Sequence, residues 1–559
     1  MTAVDTRPPE ADLDLTPWQC PKCGYANQGI RGFCAGCRRP RPEREPEPAV
    51  RQSQAPARKQ TSKPRPLPPP APPSRPAPGR FGPREVVATV LIVIVFVGAV
   101  LTAIVRSTQH TSSVATAPTG TASATTWDPR VLDIVQFVER RRGLQFKHPV
   151  PMEFLDDATF DKKVTSSGSP SVGQQTELAN TVATLRAVGL AEGSPNLQAA
   201  EDKVASQSIL GLYSPKAKRV FVRGSNLTPD VRVVLAHELT HALQDEYFGL
   251  GRLGNDNSGA DTAFRALAEA DATRVEDSYV DALPSADAKA FEATRSKQSK
   301  QADVTDVPET LIDDLAFPYV FGPGFVAALE DRGGNDAVDA AFRKPPQSEA
   351  QIVNPQSYLD GVTVTKVPAP TLKSGQTRID KAHDVGQVSM LEVLGDRLPY
   401  DQAWGALKPW AGDQGLTYRE KGKVCFAGDT ALRDQAAADT FEAAANAWAA
   451  TMPAASVARL SPTLVELRSC DPGPDYNHAM PQPSAFKTLG LRSELIAELH
   501  KAGLKYALAT CATDGVIAKV GARQLLALDN VDNPNDPRVL QVQRETRQAV
   551  ATCSRSTTT

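Results

Sequence analysis

The sequence predicts an α+β globular region carried behind a single membrane-spanning helix. Three features of the chain lead there. Strand-like and helix-like segments mix after Trp127 without the regular spacing of βαβ units. The run "VVATVLIVIVFVGAVLTAIV", Val86 to Val105, holds no charge and is long enough to cross a bilayer of ~30 Å hydrocarbon as a helix. The cysteines fall into two groups, with Cys20, Cys23, Cys34 and Cys37 near the N-terminus and Cys425, Cys470, Cys511 and Cys553 across the C-terminal third. A membrane between the groups would place one in a reducing and the other in an oxidising compartment. At 559 residues the chain exceeds one ordinary domain, and its net charge of −2 sets up no global field towards nucleic acid or acidic lipid.

Residues 1–17 read as disordered and 18–41 as a compact cysteine module. There the two C-x₂-C pairs of "WQCPKCGYANQGIRGFCAGC" suit a tetrahedral structural zinc held by Cys20, Cys23, Cys34 and Cys37. Residues 42–85 are a proline-rich spacer of polyproline II character, and many of the 46 prolines lie in this part of the chain. Residues 86–105 span the bilayer, and 106–126 form a Ser/Thr-rich stalk. Arg75, Arg80 and Arg84 lie before the span and only Arg106 soon after it, so the N-terminus is expected in the cytoplasm and the rest outside the plasma membrane. A signal peptide does not fit, because the apolar run begins far from Met1.

Beyond the stalk, "VLDIVQFVERRRGLQF" has helical periodicity and "VPMEFL" reads as a strand. "GLYSPKAKRVFVRG" reads as two strands around a turn. Thr228 as N-cap, Pro229 at the first helical position and Asp230 in the first turn open a helix that runs to about Phe248. A second helix is expected over Thr262–Val280, others around Phe325–Phe342 and from Met390 towards Leu407, and a strand around Val362–Val367. A strand pair in "LTYREKGKVCFAG", a helix through "DTFEAAANAWAATM", a strand in "PTLVELRSC" and a helical tail from Ser484 complete the reading. Four outer cysteines allow three pairings; Cys425–Cys470, joining two expected strands, and Cys511–Cys553, within the tail, are favoured.

The chemistry concentrates in "VVLAHELTHALQDEYFGL". On a helix, His237 and His241 share a face and can share a metal. Glu238 is rotated from them and is placed to take the proton of an activated water. Only seven histidines occur in the chain, which makes a chance match at this spacing rare. A third ligand is expected from a carboxylate in "FRALAEADATRVEDS". Glu269 lies in an Ala/Leu-rich stretch where an unpaired carboxylate would be costly, and it is preferred. Glu276, beside Arg274, Asp277 and Ser278, reads as part of a solvated face.

"HELTHALQDEYF" followed by "ALAEADAT" resembles the gluzincin type of zinc metallopeptidase, and within it a bacterial membrane-anchored group carrying a HELTHALQD helix. The likeness extends through "FPYVFGPGFVAALEDRGG", "PPQSEAQIVNPQSYL" and "SCDPG". It implies a zincin-like metallopeptidase domain over 127–475, followed by a helical C-terminal region over 476–559. It also implies His237, His241 and Glu269 as ligands of a catalytic zinc and Glu238 as general base. Thermolysin-like members of the gluzincin type place an acidic residue four positions after the glutamate ligand, where this chain has Thr273, so the partner orienting a histidine is expected from Asp271 or elsewhere. Tyr319 is a candidate oxyanion donor, weighed against an ordinary interior tyrosine. The strand before the metal helix corresponds to the edge on which an extended peptide substrate adds. The N-terminal module resembles the Ran-binding-protein type of zinc finger, with Trp18, Asn27 and the four cysteines in register. Relatives of that finger bind RNA or ubiquitin; here Arg31 stands without a second arginine and Gly24-Tyr25 replaces Thr-Phe, which favours a structural or protein-docking finger.

The implied activity is hydrolysis of protein or peptide substrates outside the membrane, with two zinc ions per chain, one catalytic and one structural. The competing reading is a non-enzymatic membrane scaffold with the finger as cytoplasmic adaptor to a protein or RNA. An intramembrane protease does not fit, because His237 lies far along the chain from the spanning segment. The orientation has a direct consequence. A membrane-impermeant thiol label applied to intact cells should leave Cys20, Cys23, Cys34 and Cys37 unmodified, and modification of them there would reverse the topology.

Overall fold

The computed structural model describes residues 126–165, 171–253, 259–301, 307–476, 484–530 and 536–556, together with Trp18–Gln19 and Ala26–Asn27. The chain divides into two units, Met1–Gly82 and Pro83–Thr559. In the first, β1 (Trp18–Gln19) pairs antiparallel with β2 (Ala26–Asn27). The four N-terminal cysteines, the expected spanning helix 86–105 and nearly all of the stalk lie outside the described residues.

Side-chain caps open several helices in the second unit. It begins with α1 (Leu132–Arg142), β3 (Met152–Leu155) and α2 (Asp157–Val164), the last capped by Asp156. A Ser171/Gln174 capping box opens α3 (Val172–Ala187), and Asn196 caps α4 (Leu197–Ser208). The hairpin β4 (Gly211–Ser214) and β5 (Arg219–Arg223) follows. Thr228 accepts from Val231 N to open α5 (Pro229–Phe248), and Gly249, with φ of 72°, ends it. Next come α6 (Gly259–Ala282), α7 (Ser285–Gln301) and α8 (Glu309–Arg343), with α8 broken at Gly333–Gly334. Short helices α9 (Glu349–Val353) and α10 (Pro355–Leu359) lead to β6 (Gln376–Arg378), α11 (Gln387–Gly395) and α12 (Tyr400–Leu407). The long strands β7 (Trp410–Glu420) and β8 (Lys423–Leu432), α13 (Gln435–Ala449), β9 (Ala455–Ser461) and β10 (Leu464–Cys470) come next. The tail is helical: α14 (Ala485–Lys501), α15 (Tyr506–Val520), α16 (Ala522–Leu526) and α17 (Pro537–Ser556).

Two sheets result, so the architecture is mixed helix and sheet. One has the order β3-β5-β4, with β3 parallel and β4 antiparallel to β5. The other, β6-β7-β8-β10-β9, is antiparallel throughout. Disulfides join Cys425 to Cys470 across β8 and β10 and Cys511 to Cys553 between α15 and α17.

Two of the expected elements differ. Val362–Val367 is not a strand: Thr365 N donates to Ala411 O, Val362 is 57% exposed, and Pro368 and Pro370 follow directly. Alternating β-branched residues record fitness for a half-buried pleat, and this segment has no sheet face to fit. The helix expected from Met390 to Leu407 is two helices, α11 and α12, because Pro399 disfavours helical backbone at Leu398. The helix expected around Phe325–Phe342 lies within the longer α8. That helix is long and apolar enough to span a membrane, but 78% of its apolar window is buried inside the protein, so its apolar surface serves the core.

Helix α6 belongs to two cores. Its first half, Ala263 to Ala270, packs with α8, α11, α13 and the first turn of α14. Its second half, Val275 and Tyr279, packs with α1, β4, β5 and α5. Helix α8 meets α6 closely at Gly322, where an added Cβ would lie 2.6 Å from Ala266 O and 2.7 Å from Ala270 Cβ. Backbone oxygen cannot yield cheaply, so the position is restricted to glycine by contact. Gly322→Val should lower stability by about 1–3 kcal/mol through overpacking, read as a reduced denaturation midpoint. A midpoint at or above that of the parent would show that the helices do not pack this closely.

Candidate metal centre

The helix that carries the two histidines is fixed at both ends of its middle section. Asp245, one turn past His241, accepts from Tyr213 Oη (2.7 Å), Lys218 Nζ (2.6 Å) and Leu250 N (2.8 Å), which ties α5 to the β4–β5 hairpin. At the other end the Thr228 cap and the packing of Val231, Val233 and Leu235 hold it against α1 and β5. His237 and His241 then project from one face, both buried, with ring centroids 4.7 Å apart.

Glu269 meets them from α6. His237 Nε2 and His241 Nε2 are 2.9 Å apart, and Glu269 Oε2 lies 3.3 Å from the first and 3.4 Å from the second. Tetrahedral zinc with bonds of about 2.0–2.1 Å places its ligand atoms about 3.3 Å apart, so the triangle has the size the metal requires. The donor set of two imidazoles and a carboxylate suits zinc with one position left open. Glu269 Oε1 is buried and has no hydrogen-bond partner, which is costly for a carboxylate in a protein interior unless a cation satisfies it. The residues present fit the ion.

Electrostatics point the same way. Burial alone would lower the His237 imidazole, but hydrogen bonds and charge from Glu269 and Glu276 outweigh it and lift the pKa to about 10. Burial would raise Glu269, yet His241 and His237 hold it far below the usual carboxylate range. The buried carboxylate is thus matched by positive charge on the imidazoles.

Sequence reasoning missed the partner of His237. Glu276 is buried rather than solvated, and its Oε2 lies 2.9 Å from His237 Nδ1. It stands seven residues after Glu269, two helical turns along the same face, and that spacing was the available signal. Thr273, at the position where thermolysin-like members carry an acid, is half-buried, and its buried hydroxyl oxygen is unpartnered and takes no part in orienting the histidine. Asp271 does not touch a histidine directly. It accepts from Gln244 Nε2 at 2.9 Å, and Gln244 Oε1 in turn lies 3.0 Å from His241 Nδ1.

Glu238 stands apart from the ligand triangle. It is 3% exposed, and its Oε2 accepts from Tyr213 N of the edge strand β4 at 2.6 Å. Burial raises its pKa, with His237 and His241 partly opposing the shift. Tyr319 is both interior and at the site: it is buried on α8 and its hydroxyl donates to Glu269 Oε2 at 2.7 Å. Burial and the Glu269 carboxylate push the phenol well above its ordinary value, so it remains a donor.

Comparison of the chain with protein-family models, with curated proteins and with solved structures finds no match in any of the three. The functional reading therefore rests on the residues themselves. Zinc bound by the folded state alone stabilises it by mass action, about 4 kcal/mol at a thousandfold excess over Kd. Chelation should therefore lower the melting temperature, and His241→Ala should erase the chelator-sensitive difference. A variant that keeps this zinc at full occupancy would show that His241 is not a ligand.

Proposed function

We propose that the protein is a single-pass, membrane-anchored zinc metallopeptidase that hydrolyses peptide bonds of protein or peptide substrates outside the membrane. The observation that carries the reading is the convergence of His237 Nε2, His241 Nε2 and Glu269 Oε2, with the other oxygen of Glu269 buried and unpartnered and Glu238 outside the ligand set. His237, His241 and Glu269 would hold the ion. Bound there, zinc supplies Lewis acidity and lowers the pKa of a water molecule towards neutrality.

The chain's own residues account for the rest. Glu238 Oε1 or Oε2 accepts the water's proton, and burial favours the protonated carboxyl that results. That proton then passes to the departing amine. Tyr319 Oη, kept protonated by its surroundings, would turn its single proton from Glu269 Oε2 to the oxygen of the carbonyl under attack as negative charge develops there. The edge strand β4 offers backbone groups along which an extended peptide adds. A substrate carbonyl taking the Tyr213 N–H would free Glu238 from its present hydrogen bond.

The alternative, a scaffold using the same fold to bind a partner, keeps the zinc and abolishes the chemistry. Glu238→Gln separates the two readings, because it preserves size and hydrogen bonding and removes only the proton acceptor. General-base catalysis contributes about 10²–10⁴-fold, so cleavage of a peptide pool should fall by that order while zinc content and melting temperature hold. Equal cleavage by both proteins would eliminate Glu238 as base. Zinc binding without cleavage by either would favour the scaffold.

A further inference from the structure

Behind His241 lies a buried polar chain that the metallopeptidase reading does not by itself require. A carboxylate such as Glu276 can only accept, so it fixes the proton of His237 on Nδ1. Gln244 faces His241 Nδ1 with an amide, which can present either a donor or an acceptor. The choice is made further away. Two acceptor-only groups converge on the far end of that amide, Ala268 O at 3.0 Å and Asp271 Oδ2 at 2.9 Å. That end must therefore be the NH₂, and the carbonyl oxygen must face the imidazole. His241 then carries its proton on Nδ1 and leaves the Nε2 lone pair for a cation.

Asp271 in turn is held as an acceptor by two arginines, Arg142 fully buried and Arg274 half-buried. Arg142, at the C-terminal end of α1, ion-pairs with Asp271 at 2.9 Å and with Asp339 at 2.7 Å. Arg274 ion-pairs with Asp271 at 2.6 Å and with Glu330 at 2.7 Å. Asp271, Gln244 and Arg142 are all at or below 1% exposure, so bulk solvent does not reach these bonds.

We propose that Gln244 and Asp271 are positioning residues that fix the tautomer of His241 for metal binding, with Arg142 and Arg274 setting the polarity of the chain. The proposal rests on the zinc reading of the site. Loss of partners at this remove from a metal costs 10–100-fold in affinity in comparable sites.

The test uses the full-length chain with Cys20→Ser and Cys23→Ser, so that the N-terminal thiols add no zinc signal. Zinc affinity is measured by chelator competition, and stability separately by thermal melting. Gln244→Leu removes the acceptor and should weaken zinc by about 10–100-fold. Asp271→Asn removes one of the two acceptors that fix the amide, leaving Ala268 O, and should weaken zinc by less than Gln244→Leu does. Gln244→Glu should keep the affinity within about threefold even where it lowers the melting temperature. There the new acid shares a proton with Asp271, so one oxygen still accepts from His241. A merely structural role would order the three variants by stability loss, and that ordering would overturn the proposal. So would parent-like affinity in Gln244→Leu. As a second readout, long-range coupling in the cadmium-113 protein should place the metal on His241 Nε2 with a slowly exchanging Nδ1 proton. Fast exchange of that proton in the parent protein would count against the proposal. Absence of a histidine-bound metal in the parent would overturn both this inference and the metallopeptidase reading.

Discussion

One carboxylate imposes the order on this molecule. Glu269 is fully buried, and an ionised carboxylate without water is tolerated only beside compensating charge and donors. The compensation comes from three directions: two imidazoles on α5, and the Tyr319 hydroxyl on α8. Those contacts require α5, α6 and α8 to approach within side-chain reach at a single level. Gly322 permits the approach of α8, one turn beyond Tyr319, and the Asp245 contacts hold α5 against its hairpin. The two hydrophobic cores meet along α6, so the site sits at their seam rather than within either.

Around the ligand triangle the polar groups alternate between donors and acceptors in layers. Glu276 backs His237, while Gln244, Asp271 and the two arginines back His241. Burial would raise Asp271, but Arg142 and Arg274 hold it low. Buried ionic clusters of this kind are weak sources of net stability, because desolvation offsets the attraction. What they supply is direction, since each group can be satisfied in only one orientation. The network also ties α1 and the segment after the α8 break, through Asp339, to the metal helix.

The position of Glu238 links the fold to the proposed chemistry. It is one residue from a ligand, yet the helix turns it away from the triangle and towards the β4 edge, where a backbone amide holds it. The strand from which a substrate would hang and the group proposed as base therefore share one hydrogen bond.

What was legible in the sequence was local. The Thr228–Pro229 start of α5 and its end near Phe248, the i, i+4 histidines and the burial of Glu269 all follow from capping rules, helical periodicity and the cost of a carboxylate among alanines. The pairing of Cys425 with Cys470 followed from two adjacent expected strands. Other features depended on partners remote in the chain. Glu276 sits among charged neighbours that suggest a wet surface, and only the packing of α6 against α5 makes it a buried partner of His237. Arg142 ends a helix in a run of arginines, and nothing nearby distinguishes it from Arg140 until Asp271 and Asp339 close around it. Val362–Val367 has the residues of a strand but was given no sheet face to join. The sequence by itself determined which helix carries the paired histidines on one face, because that depends on spacing along one element. Only the tertiary structure decided which groups orient the ligands and which acids are dry, because burial and hydrogen bonding between elements are properties of their approach.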